Sequence, residues 1–116
     1  MQVFNMNLNS PWFELVKNGS KIYEGRRKSI KYDTIKPGDI IEFSHHTNKD
    51  LDSFQTIVKD ILVFPTFEDA LTSLDINKIL PIPGITISEG VEIYKKFVSI
   101  PTQIKDGIIM IKIKLK

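Results

Sequence analysis

The sequence predicts an α+β domain in which a small mixed or antiparallel β-barrel carries its helices on the outside. Two observations lead there. Apolar residues alternate with polar ones in four separated stretches, the period of strands with one buried face, while only short segments show helical spacing between capping residues. The order that results is β-α-β-β-β-α-α-β, with no internal repeat, linker or low-complexity tract.

In chain order, Phe4, Met6 and Leu8 alternate with Asn5, Asn7 and Asn9 and make the first strand. Ser10 as N-cap, Pro11 at the first helical position and Trp12, Leu15 and Val16 at helical spacing open a helix over about 10–18, which Asn18-Gly19 stops. Residues 21–28 form the second strand. In a regular strand Glu24 and Arg26 share a face and Lys21 points the other way. Either pairing starts near Tyr23, leaving Lys21 on a bend, or Gly25 marks a bulge; the bend is the simpler solution. Lys36-Pro37-Gly38-Asp39 suits a type II turn, Pro fixing the first central residue and Gly supplying the positive φ of the second.

The third strand follows with Ile41 and Phe43 on its buried face, and after the polar loop 46–50 a fourth spans 54–64, with Ile57, Ile61 and Val63 on one face. A meander is the simplest connection. Thr66 with Asp69 resembles a capping box and opens a helix to Leu71 or Leu74. Pro81, Pro83 and Gly84 interrupt regular structure. Ser88 is placed to cap a further helix with Val91, Tyr94, Phe97 and Val98 as its apolar stripe. Gly107 precedes a last strand with Ile109, Ile111, Ile113 and Leu115 on one face, and Lys112, Lys114 and Lys116 on the other read as a guard on an open sheet edge.

At 116 residues one domain over 1–116 is expected, and a chain 41% apolar and 26% charged has globular rather than disordered composition. Without cysteine there is no disulfide framework, thiolate zinc site or Cys nucleophile. His45 and His46 are adjacent, so a regular strand points them to opposite faces and they do not chelate one metal together; one of them could face a cleft as an acid or base. No metal and no cofactor is expected. The N-terminal residues lack a basic segment followed by an apolar one, and no stretch approaches the length of a membrane span, so a cytoplasmic or nuclear, non-secreted protein is expected, taken as a monomer.

The net charge is only +2, but it is unevenly spread: residues 17–36 hold seven basic side chains against Glu24 and Asp33, a local +5. Such a region attracts phosphates, or is simply a solvated basic loop. Within it lies Gly19-Ser20-Lys21-Ile22-Tyr23-Glu24-Gly25-Arg26, or GxKxxExR. Buried unpaired charge is costly, so this cluster is either a surface ion network or a polar cleft.

Together with Pro37-Gly38-Asp39, and with Phe67-Glu68-Asp69-Ala70-Leu71, Leu80-Pro81, Gly90-Val91-Glu92-Ile93-Tyr94 and Gly107-Ile108-Ile109 following in order, this motif resembles the ASCH domain, a PUA-like fold. The resemblance implies an ASCH-type, PUA-like barrel whose Lys21, Glu24 and Arg26 line a cleft that holds RNA or a modified nucleotide. Arg clamps a phosphate in a bidentate geometry, Lys supplies a mobile point charge and Glu accepts from a base amine. Arg27, Lys28 and Lys31 would contact phosphates, and Tyr23 could stack a base or be a half-buried strand residue. Trp12 reads as core and Tyr32 as a loop residue at a cleft rim.

The same resemblance implies an alternative. Some small ASCH-related proteins resemble hydrolases of N4-acetylcytidine that use a Lys base and a Thr three residues later, and others resemble ribonucleases. Here Glu24 stands where the Thr would be, and attack by a carboxylate gives a mixed anhydride instead of an ester. In an enzyme of either kind Lys21 and Glu24, with Tyr23, are the candidate catalytic residues.

Overall fold

The computed structural model describes residues 1–116. Five strands form one sheet: β1 (Val3–Leu8), β2 (Tyr23–Arg27), β3 (Ile40–His45), β4 (Phe54–Phe64) and β5 (Ile108–Leu115), in the order β1-β3-β4-β5-β2. Only β1 and β3 run parallel; the other three pairs are antiparallel. The sheet curls into a half-barrel with β1 and β2 as its free edges. These edges face each other across a seam: Arg26 on β2 donates from a guanidinium nitrogen to the Asn7 carbonyl on β1 at 3.1 Å. Helices α1 (Trp12–Lys17), α2 (Phe67–Ser73), α3 (Ile76–Ile79), α4 (Ile87–Lys95) and α5 (Ile100–Asp106), with a 3₁₀ turn over Ile30–Tyr32, connect and cover the strands.

Two apolar clusters hold this arrangement. One fills the concave side, where Phe13 and Val16 of α1 meet Met6, Ile41, Phe43 and Val58. The other lies between the opposite face of the sheet and α2, α3 and α4, built on Phe67, Leu71, Leu80 and Tyr94. Strand β5 belongs to both: Ile109, Ile111 and Ile113 point into the first cluster, Ile108 and Met110 into the second. Its unbroken run of buried residues is what a strand covered on both faces requires.

Several local expectations are corrected. The meander is limited to β3 and β4, because β2 crosses to the far edge beside β5. The lysines of β5 therefore guard no edge; they are exposed because the helical layer leaves that end of a central strand uncovered. On β4 the buried residues are Thr56 and Val58, while Ile57 and Ile61 are half-buried and Val63 is 58% exposed. A register shift between Val58 and Asp60 exchanges the faces part-way along the strand. Leu115 is likewise exposed.

Ser10 does not cap α1; its hydroxyl donates to the Glu14 carboxylate and lies 3.0 Å from His45 Nε2. Helix α4 is capped by Thr86, not Ser88, in a full capping box with Glu89. Helices α3 and α5 were not foreseen. The turn at Pro37-Gly38 forms as expected, with φ of +95° at Gly38.

Candidate functional site

The seam between β1 and β2 widens into a cleft of about 450 Å³, roofed by α4. Its construction begins at the stop of α1. The Lys21 backbone N–H is held by the Leu15 carbonyl at 3.0 Å, and regular pairing starts only at Tyr23. Lys21 thus sits on a bend ahead of β2, free of strand parity, and its side chain joins those of Glu24 and Arg26 in the same cleft.

Lys21 is 3% exposed; its amine donates to the Ile79 carbonyl at the end of α3 and lies 5.7 Å from the centre of the Trp12 ring. Burial lowers its pKa from 10.5 to about 8; Glu24 pulls the other way and Arg26 adds to the lowering. Glu24 is 5% exposed, with Oε1 3.7 Å from Arg26 Nε and Oε2 without any partner. Arg26 is half-buried and spans from this carboxylate to Asn7.

Next to Glu24, Gly25 has a packing reason to lack a side chain. A Cβ there would come within 2.8 Å of the Phe67 ring, 3.0 Å of Met110 Sδ and 3.1 Å of Tyr94 Oη. The Phe67 and Tyr94 rings stack at 3.9 Å and 5° and press directly on the β2 backbone. Tyr94 is 6% exposed, its hydroxyl has no partner, and burial, reinforced by Glu24, raises its pKa.

Of the remaining residues singled out from the sequence, Arg27 and Lys31 line the cleft, whereas Tyr23 and Lys28 do not. Tyr23 faces the helical layer and packs against the second cluster, since it shares its strand face with Gly25. Arg27 is paired with Asp106 at 3.0 Å, and Lys31 lies 5.4 Å over the Tyr32 ring. Trp12, Tyr32 and His46 also reach the cleft. His45 is buried instead: its Nδ1 accepts from the Thr47 and Asn48 amides at 3.2 and 3.0 Å, so its proton sits on Nε2, toward Ser10. No cluster of three His, Asp or Glu side chains is arranged to hold a metal ion.

What sequence reasoning missed is the roof. Tyr94, Phe97 and Val98 carry helical spacing and read as core, yet all three line the cleft, and Phe97 is 63% exposed. The site is therefore a set of charged tips among aromatic walls.

The family model described as "ASCH domain" matches residues 6–114. The chain belongs to the ASCH domain family. ASCH domains are PUA-like and, as a family, of the RNA-binding kind. Among solved structures, this ASCH domain is similar to the crystal structure of the archaeal hypothetical protein PH0355, at 33% identity and a TM-score of 0.86, with 99% of this chain and 100% of that chain covered. It is also similar to the solution structure of protein PF0455 from Pyrococcus furiosus, at 30% identity and a TM-score of 0.74, covering 98% of this chain and 97% of the other. No curated protein matches the chain. No helix of the ASCH domain is long and apolar enough to cross a membrane.

Proposed function

We propose that this ASCH domain binds RNA or a modified nucleotide in the cleft at the β1–β2 seam. The observation that carries this reading is the meeting of Lys21, Glu24 and Arg26 in one concavity of nucleotide size, with Arg27 and Lys31 at the same opening. Arg26 and the two outer cations serve the phosphates, and the aromatic walls serve the base. The function belongs in the cytoplasm or nucleus, where such ligands are met. The test is the affinity for a single-stranded RNA oligomer across a salt series. On single strands each phosphate contact contributes a slope of about −0.7 in log K against log salt, so Arg26→Ala flattens the slope by about that much. Binding indifferent to salt, or untouched by Arg26→Ala, refutes the proposal.

A second reading rests on Lys21. A buried amine whose pKa is about 8 is in part neutral near neutral pH and is able to act as a base, as hydrolysis of an N4-acylated cytidine or of RNA itself requires. Incubation with N4-acetylcytidine and with labelled RNA decides it; no turnover above a Lys21→Ala control dismisses the enzyme.

A further inference from the structure

Two buried oxygens on residues that line the cleft have no protein group to satisfy them. Glu24 Oε2 and Tyr94 Oη are the only buried side-chain polar atoms in the molecule without a hydrogen-bond partner, and both residues line the cleft. A buried polar atom left unpaired is destabilising, and folding alone gives no reason to keep two of them together. They come from different elements, β2 and α4, and open on the same cleft: Tyr94 Oη reaches the β2 backbone at Gly25, and the charge of Glu24 acts on that hydroxyl. They are not bonded to each other.

Their chemistry is complementary. Burial and the adjacent Glu24 keep the proton on the Tyr94 hydroxyl, so it remains a donor. Glu24 directs Oε1 toward Arg26, which leaves Oε2 as an acceptor. An acceptor beside a donor matches a ligand edge that shows a donor beside an acceptor, and the Watson–Crick edge of each nucleobase offers such a pair. Trp12, Tyr32 and Phe97 supply flat surfaces in the same cleft.

We infer, building on the proposed nucleotide site, that the cleft takes an unpaired base by its Watson–Crick edge, Glu24 Oε2 accepting from it and Tyr94 Oη donating to it. Tyr94 is then a specificity-determining residue. A paired base is excluded, because the edge being read is the one that pairing consumes.

The experiment measures binding of labelled adenosine, cytidine and uridine RNA pentamers, the same pentamers methylated on the Watson–Crick ring nitrogen, an RNA hairpin duplex and the free nucleoside monophosphates. The best-bound pentamer is expected to lose at least about tenfold in affinity on methylation, and the duplex to bind more weakly than that pentamer by a similar factor. Tyr94→Phe keeps the ring on Phe67 and removes only the hydroxyl; it lowers affinity about tenfold for the unmodified pentamer and little for the methylated one. Equal binding of methylated and unmodified pentamers by the native protein overturns the inference, whatever the variant does. So does an unchanged Tyr94→Phe alongside a weakened Arg26→Ala, an outcome that leaves RNA binding itself intact. Failure of every probe to bind removes the nucleotide site and this inference with it.

Discussion

Replacing Lys21 with methionine exchanges a buried amine for a neutral side chain of similar length, and the consequence for stability depends on pH in a way the structure specifies. In the fold the pKa of Lys21 is about 8, and in the unfolded chain it returns to 10.5. Between these values the unfolded state binds the proton and the folded state does not, so the stability of the native protein rises with pH through that window. Below about pH 8 both states are protonated and the full penalty of burying the charge is present. At about 1.4 kcal/mol per pKa unit, the contribution of Lys21 improves by about 2.5 kcal/mol from about pH 7 to about pH 10.

The methionine variant lacks this term. It also lacks the bond from the amine to the Ile79 carbonyl. Equilibrium urea unfolding of both proteins across this range isolates the effect, because the other titrating groups cancel in the difference. The native protein is expected to gain on Lys21→Met by about 2.5 kcal/mol as pH rises. A difference that stays flat, or moves the other way, refutes the claim that Lys21 is buried as a charge-penalised amine.

Two further outcomes test the packing around the cleft and the turn before β3. Gly25→Ala forces a methyl group against the Phe67 ring, Met110 and Tyr94, and is expected to destabilise by about 1–3 kcal/mol; an unshifted thermal midpoint contradicts the close packing of β2 on the helical layer. Asp39 accepts from the backbone N–H groups of Gln2 and Lys36, each at 3.0 Å, and the Gln2 bond above all holds its pKa below the usual carboxylate value of 3.8. Its contribution is present above that value and is lost as pH falls through the lower folded pKa, so the advantage of the native protein over Asp39→Asn shrinks in acid. Acid titrations of the two proteins that run parallel disprove it.

The strands were legible because alternation is a local signal. Phe4-Met6-Leu8, Ile41-Phe43 and the stretch from Phe54 to Phe64 mark β1, β3 and β4 close to their true limits. Partner choice is not local. Nothing near Tyr23–Arg27 announces that these residues pair with Ile108–Lys112 rather than with the next strand. The face of β4 was misread because one register shift reverses parity. Helix α5 was overlooked because Gln103 is its only buried residue, although Ser99 and Pro101 carry start signals. In the site, the sequence marks Lys21, Glu24 and Arg26 as a charge cluster that is either an ion network or a cleft, and only the resemblance to ASCH domains implied the cleft; the bend that frees Lys21 from strand parity was read from the helix stop at Asn18-Gly19. Tyr94 was hidden because an apolar helical stripe looks alike whether it covers a core or roofs a cleft.

The position of β5 governs the order in which the molecule is completed. β1, β3 and β4 join through residues that all precede position 65, whereas β2 has no strand partner other than β5. During synthesis the segment bearing Glu24 and Arg26 must wait, unpaired, while some eighty later residues emerge. The cleft thus takes shape only once β5 is made, and its residues on β2 depend on a strand synthesised long after them.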